Sequence, residues 1–288
     1  MRSAPKFTSI VEVFPPSFSV DASKEPVIGL GQKTKDFVER VKRIQRLADS
    51  ILVADVKDTS RLKMSTVQSA ALLKQLTGAD AIPVITARDS SRPQLLSSIV
   101  TAFSLGLTSV MLVWGDRYGP GDGAKNVYDW KSVSEFLKAA RALSVRANLR
   151  CRLLAPVDLS RLGTESGLRL AKERLKSGAD LLLAQPPTTD IHTTLPRHAK
   201  LLDKTGFKER ILLNVFPFRD SADVEFCRRK FGWDLPAELD RIARAGEKAL
   251  LKEARSVSEG IRARGLAGVY VSTRGRPEHA RFILDYRG

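Results

Sequence analysis

The sequence predicts an α/β fold of one kind, a (β/α)8 TIM barrel formed as a single domain over residues 1–288. Three observations carry that expectation. Short β-branched runs alternate with longer amphipathic ones eight times along the chain. Several helical runs end in a glycine directly before the next strand, the residue that best tolerates a left-handed helix cap. No glycine-rich fingerprint follows the first strand, as an open dinucleotide-binding sheet would require. A chain of 288 residues also suits one barrel, for which about 250 is typical.

Taken in order, the first strand is Ser9–Phe14, stopped by Pro15-Pro16, and an amphipathic helix follows over Thr34–Ala48. Strand two is Ser50–Asp55 and its helix Ser65–Leu76, closed by Thr77-Gly78-Ala79-Asp80. Strand three, Ile82–Ala87, leads to a helix over Arg92–Leu105, which Gly106 ends. Strand four, Ser109–Trp114, contains Val110-Met111-Leu112-Val113, a continuous apolar run of the kind buried on both faces of a parallel sheet. Its helix is Ser132–Ala147. Strand five, Arg150–Ala155, precedes a loop at Pro156-Val157-Asp158-Leu159 and a helix over Ser166–Lys176, again stopped at Gly178. Strand six is Asp180–Ala184 with helix Leu195–Lys204, and strand seven is Arg210–Phe216. The interval Ser221–Arg264 exceeds one barrel helix and predicts two or three, broken near Trp233-Asp234-Leu235-Pro236. Strand eight, Gly268–Ser272, and a last helix over Pro277–Tyr286 complete the count.

A hydrophobic fraction of 43% and an aromatic fraction of 7% support a sizeable core and exclude global disorder. No run of 18 apolar residues exists, so no membrane span is expected. The first residues lack the basic-then-apolar order of a secretory leader, since Glu12 and Pro15-Pro16 interrupt the only apolar segment; a cytoplasmic location is the expectation. Cys151 and Cys227 have no metal-type spacing and read as core or boundary residues, and no metal is expected. Forty-eight basic against 32 acidic residues give +16, a balance suited to nucleic acid, to an acidic small ligand or to an anionic partner. The basic residues are scattered through mixed-charge helices, which argues against nucleic-acid binding as the main role. His192, His198 and His279 pair with no strand-end nucleophile and read as solvated helix residues. Gly119-Pro120-Gly121-Asp122-Gly123 is a loop without the Gly-Lys-Ser/Thr of a phosphate-binding P-loop.

In barrel enzymes the reacting groups stand at the C-terminal ends of the strands. Here those ends carry Glu12, Asp55, Thr86-Ala87-Arg88-Asp89, Trp114-Gly115-Asp116, Gln185, Asn214 and Ser272-Thr273-Arg274-Gly275-Arg276. A mouth lined by carboxylates, an amide and arginines follows. Asp55 and Asp89 read equally well as helix caps or loop residues. Glu12 does not: a carboxylate within an apolar strand loses hydration unless it faces the mouth. Burial of that kind raises a carboxyl pKa, which suits a general acid.

Several of these segments resemble the methylenetetrahydrofolate reductase family of flavin-dependent oxidoreductases. Val11-Glu12-Val13-Phe14-Pro15-Pro16 is similar to the family's first-strand Glu-aromatic-aromatic-Pro-Pro motif, and Gly106 through Asp116 to its fourth strand, which ends in Gly-Asp. Asp55 through Ser65, Ile85 through Arg92, and Gly178-Ala179-Asp180 leading to Gln185 extend the similarity over nearly the whole chain in order. The resemblance implies a barrel holding FAD. That flavin would take hydride from NADH or NADPH and reduce a methylene group on a tetrahydrofolate-type pterin to methyl, in one-carbon metabolism and methionine biosynthesis. It implies Glu12 as the acid that opens the methylene bridge, Asp116 on the pterin and beside the flavin, and Gln185 on the pterin. Arg274 or Arg276 would meet the folate, and Thr86, Trp114, Gly115, Tyr128 and Arg174 would contact the flavin. A homo-oligomer or a partner subunit is expected. The family's third-strand histidine is Val84 here, a flavin-contacting acid on the fifth helix is Gly167, and the loop after strand five lacks its histidine. A flavin-independent or accessory pterin-binding barrel, working with a methyltransferase or electron-donor subunit, stays open beside the flavoprotein.

Overall fold

A computed structural model of the chain describes residues 7–21, 29–119, 121–122 and 124–285, without the side chain of Leu30. Eight parallel strands close into a barrel. They are β1 (Thr8–Val13), β2 (Ser50–Val53), β3 (Ala81–Thr86), β4 (Ser109–Val113), β5 (Arg152–Asp158), β6 (Leu181–Gln185), β7 (Ile211–Val215) and β8 (Gly268–Val271). Each pairs with its neighbours in chain order, and β1 closes the ring against β8 through Thr8↔Gly268 to Val11↔Val271. Helices cover the outside: α1 (Gly29–Ile44), α2 (Thr66–Thr77), α3 (Arg92–Ser104), α4 (Val133–Arg146), the short α5 (Leu159–Leu162), α6 (Glu165–Lys176), α7 (Thr194–Thr205), α8 (Ser221–Phe231), α9 (Ala237–Arg244), α10 (Glu247–Ala263) and α11 (Glu278–Leu284).

The strands bury both faces, which is why they read as continuous apolar runs. Outward residues such as Val11, Ile51, Val110, Leu182 and Leu213 pack against the helices. Inward ones, Ile10, Leu52, Ile82, Val84, Met111, Leu154, Leu183, Leu212 and Tyr270, fill the interior. A fully buried Leu or Ile contributes about 1.5–3 kcal/mol. At the N-terminal end of the barrel, Arg152 donates to Ser109 Oγ (3.2 Å), Ser50 Oγ (3.2 Å) and Asp80 Oδ2 (3.3 Å), while Ser50 donates to Asp80 at 2.6 Å. This polar network ties four adjacent strands together and closes that end. Gly268 sits where β8 crosses β1 so closely that a Cβ would lie 1.8 Å from the Thr8 carbonyl oxygen.

The interval expected to hold two or three helices holds three, α8 to α10, with Gly232 in a left-handed cap (φ 64°) ending the first of them. Helix α1 begins at Gly29, five residues ahead of the expected Thr34, and ends at Ile44 rather than Ala48. Strand β5 runs on through Pro156 to Asp158, because its neighbour β6 pairs with that stretch (Leu183↔Pro156, Gln185↔Asp158). The last helix is confined to Glu278–Leu284, and Tyr286 lies outside the described residues, as do Pro120 and Gly123 of the glycine-rich loop. Two minor pairings, Ser17–Ser19 with Arg61–Lys63 and Asp89–Ser90 with Val127–Tyr128, are too short to show a period in sequence. No helix among the described residues is long and apolar enough to cross a membrane.

His198 departs from the expected solvated position. It lies on the inner face of α7, 4% exposed, with Nδ1 hydrogen-bonded to Thr188 Oγ1 at 2.9 Å. Burial pushes its pKa down from 6.5 to about 4. The unfolded chain therefore binds more protons across that window. Stability should fall as the pH drops from about 6.5 to about 4, by on the order of 3 kcal/mol. Urea titrations across this range, with His198→Gln as the control that flattens the slope, check it. His192 is exposed as expected. His279 is largely buried, and its Nε2 lies 3.4 Å from Glu247.

Candidate active site

Glu12 is the penultimate residue of β1. Its side chain shares the inward parity of Ile10, so it rises into the barrel mouth, 8% exposed. Tyr270, on β8, donates its hydroxyl to Oε2, and Ser272 Oγ lies 3.0 Å from Oε1. Thr273 Oγ1 donates to the Glu12 carbonyl at 2.7 Å and fixes the strand beneath it. Burial raises the Glu12 pKa, and the hydrogen bonds from Tyr270 and Ser272 only partly offset it. Burial, with the Glu12 charge beside it, also pushes the Tyr270 phenol well up. The result is a dry carboxyl group, held by two hydroxyls, that keeps its proton to higher pH than a solvated glutamate. Tyr270 had no visible role in the sequence, where it reads as strand body. The available signal was its spacing two residues before Ser272, on the same face, together with the rule that a buried phenol finds a partner.

On the β3–β4 side, Arg88 (3% exposed) grips Asp89 through Nε–Oδ1 at 2.9 Å and Nη2–Oδ2 at 2.6 Å. Its Nη1 donates to the Asp116 carbonyl at 3.1 Å, its Nη2 lies 3.7 Å from Asp55, and its guanidinium lies over the Tyr118 ring. Tyr128 donates to the Gly115 carbonyl at 3.1 Å. These two bonds hold the Gly115-Asp116 turn, where Gly115 adopts φ 85° and a Cβ would meet Thr86 Cγ2 at 2.3 Å. Glycine is required there. Asp116 itself is exposed at the mouth. Trp114 and Tyr128 stack on one another, centroids 4.7 Å apart and planes 5° from parallel. Thr86 Oγ1 is buried without a partner.

Gln185 ends β6, exposed at the mouth. Arg174 lies on the outer side, where Nη1 donates to the Pro156 carbonyl and burial lowers its pKa. Arg274 ion-pairs with buried Asp223, and exposed Arg276 reaches Glu247 at 3.4 Å. Thus Glu12, Thr86, Gly115, Asp116, Gln185 and Arg274 all stand at the C-terminal ends of strands, while Arg174 is turned into the wall. Asn214 shares the inward parity of Leu212 on β7 and is in register with Tyr270. It is fully buried, and neither amide atom has a partner. An unpaired buried amide destabilises, so Asn214→Leu should leave the fold intact and raise stability by about 1 kcal/mol, read from denaturant midpoints. Among the described residues no group of three or more His, Cys, Asp or Glu could hold a metal ion.

Fold and site together define a TIM-barrel protein with a buried acid at its catalytic-end mouth. Residues 5–261 match the methylenetetrahydrofolate reductase family, and the chain belongs to that family. The match stops before β8, so Tyr270 and Ser272 stand on geometry alone. No curated protein matches the sequence significantly. Among solved structures, a 2,3-dimethylmalate lyase of the PEP mutase/isocitrate lyase superfamily is similar at 10% identity and TM-score 0.55, over 96% of this chain and 77% of that one. An oxaloacetate acetylhydrolase in complex with oxalate is similar at 13% identity and TM-score 0.51, over 93% and 75%. At such identities these likenesses speak to the barrel and not to its chemistry.

Proposed function

We propose that the chain reduces the methylene group carried between two nitrogens of a tetrahydrofolate-type pterin to a methyl group, with a reduced nicotinamide as hydride source. The observation that carries this reading is Glu12, a buried carboxyl group of raised pKa at the mouth of a barrel of this family. Opening the methylene bridge breaks one C–N bond and leaves an electron pair on the departing nitrogen, which takes the Glu12 proton. The remaining nitrogen–carbon unit is an iminium cation, and hydride adds to its carbon. Tyr270 and Ser272, both donating to Glu12, stabilise the carboxylate left behind. Asp116 and Gln185, exposed at the mouth, bind polar edges of the pterin, with Asp116 oriented by the Arg88 bond to its backbone.

The resemblance implies FAD between nicotinamide and pterin, but the positions it assigns to the flavin do not fit that group. Gly167 leaves no room for an acidic side chain, since even a Cβ would lie 1.9 Å from the Arg161 carbonyl. Val84 is packed into the apolar interior, and Asp158 caps α5 by accepting from Ser160 N at 2.9 Å. Arg174 is tied to Pro156, and Trp114 and Tyr128 cover one face of each other. No step is therefore routed through flavin, and hydride passes directly from nicotinamide to the iminium carbon. Anaerobic spectra of the purified protein test this. Nicotinamide absorbance that falls only when methylenetetrahydrofolate is added supports the proposal. A flavin band that bleaches with nicotinamide alone reinstates the flavin route, and no turnover under either condition sinks the activity.

A further inference from the structure

Beside the groups around Glu12, charge converges a second time between the ends of β7 and β8. Asp223, in the first turn of α8, has a side chain only 1% exposed. It holds two guanidinium groups: Arg219 through Nε (3.4 Å) and Nη2 (3.2 Å), and Arg274 through Nη1. The Arg219 backbone N–H reaches the same carboxylate at 3.3 Å. Two like charges stand together because a buried anion sits between them. Arg274 adopts a left-handed backbone, φ 50°, a conformation that costs a residue with a side chain and that concentrates at functional sites. Its guanidinium lies 5.2 Å from the Phe226 ring centre and 5.7 Å from that of Phe216.

These two arginines, with Pro217, Thr273, Arg276 and His279, line a recess of about 60 Å³ around Asp223. The lining brings three guanidinium groups against one carboxylate. Glu247 at the rim offsets part of that surplus, at 3.4 Å from both Arg276 and His279. His279 adds no charge at neutral pH, because burial lowers its pKa. A guanidinium has five N–H donors, and Arg219, Arg274 and Arg276 commit only some of theirs to Asp223 and Glu247. The recess is too small for a bicyclic ring and of a size for one oxyanion. Thr273, which lines it, also donates to the Glu12 backbone, so the recess opens directly beside the proposed reaction centre.

We infer that this recess binds a carboxylate of an acidic tail on the pterin, through Arg219 and Arg274 set by Asp223, with Arg276 at the rim. This assignment of substrate class rests on the proposed activity, whereas the anion site itself does not. Tri-γ-glutamate alone, without any pterin, is the probe, followed by isothermal titration at low and high salt. The native chain should bind it, more weakly as salt rises. Arg219→Gln should weaken binding about tenfold, as expected on losing one charge-assisted contact, and Arg219→Gln with Arg274→Gln should abolish it. Circular dichroism confirms that the variants are folded, and Arg219→Lys should restore part of the loss. No binding by the native chain, or equal binding by the double variant, overturns the inference. Binding of inorganic phosphate but not of tri-γ-glutamate overturns it too, and assigns the recess to a phosphorylated ligand. If the peptide binds as expected while methylenetetrahydrofolate is never reduced, the anion site stands and the proposed activity falls.

Discussion

Glu12→Gln should lower kcat for pterin reduction by about a hundred- to ten-thousandfold, the usual worth of a positioned proton donor, while pterin affinity changes little. The amide keeps the shape of the carboxyl group and can still accept from Tyr270 and Ser272, but it has no proton to give. The same substitution should raise stability at neutral pH. The folded-state pKa of Glu12 lies above its ordinary value, so the native protein holds a proton there that the unfolded chain releases. That contribution is complete below the unfolded pKa and is lost as the pH rises through the folded one. Above it the ionised carboxylate is a burden that glutamine does not carry. For the native enzyme, activity should likewise fall on the alkaline side as Glu12 loses its proton. The check is a pair of measurements on each protein, single-turnover rates and thermal midpoints across pH. A variant that is slower and less stable at once would mark Glu12 as structural.

The second large effect is on the fold. Gly268→Ala places a methyl group 1.8 Å from the Thr8 carbonyl oxygen and 2.6 Å from Leu212 Cδ2. Backbone cannot yield as a flexible side chain can, so β8 must move away from β1 at the seam that closes the barrel. A loss of about 3 kcal/mol is expected, and a drop in Tm of roughly 5–10 °C. Because β8 also carries Tyr270 and leads into Ser272, the surviving fraction should turn over more slowly. Differential scanning calorimetry beside an activity assay measures both; an unchanged midpoint would mean that the seam is looser than described.

The barrel was legible because burial on both faces writes each strand as an unbroken apolar run, and because Gly78, Gly106 and Gly178 punctuate the helix ends. Boundaries were less legible where long-range pairing outweighs local preference, as at Pro156, which reads as loop and is held in β5 by β6. Helix α1 was read short because Gly29 and Gly31 look like breakers. Of the site, Glu12 announced itself by a charge inside an apolar strand. The partners of Glu12 did not, since Tyr270 and Ser272 lie some 260 positions away and meet it only through closure of the ring. His198 looked solvated because its helix is polar overall, whereas its own face is packed against Thr188. The Asp223 cluster was hidden in a region whose charges alternate along the sequence and converge only in space.

The Arg152 network makes the barrel a cup and not a tube. Every molecule that reaches Glu12 comes and goes through one doorway. With no flavin to store the electrons between visits, the hydride donor and the pterin must stand in that doorway together. Each then becomes part of the other's wall, and crowding by either is felt by its companion. The order in which they enter and leave is thus set by architecture as much as by affinity.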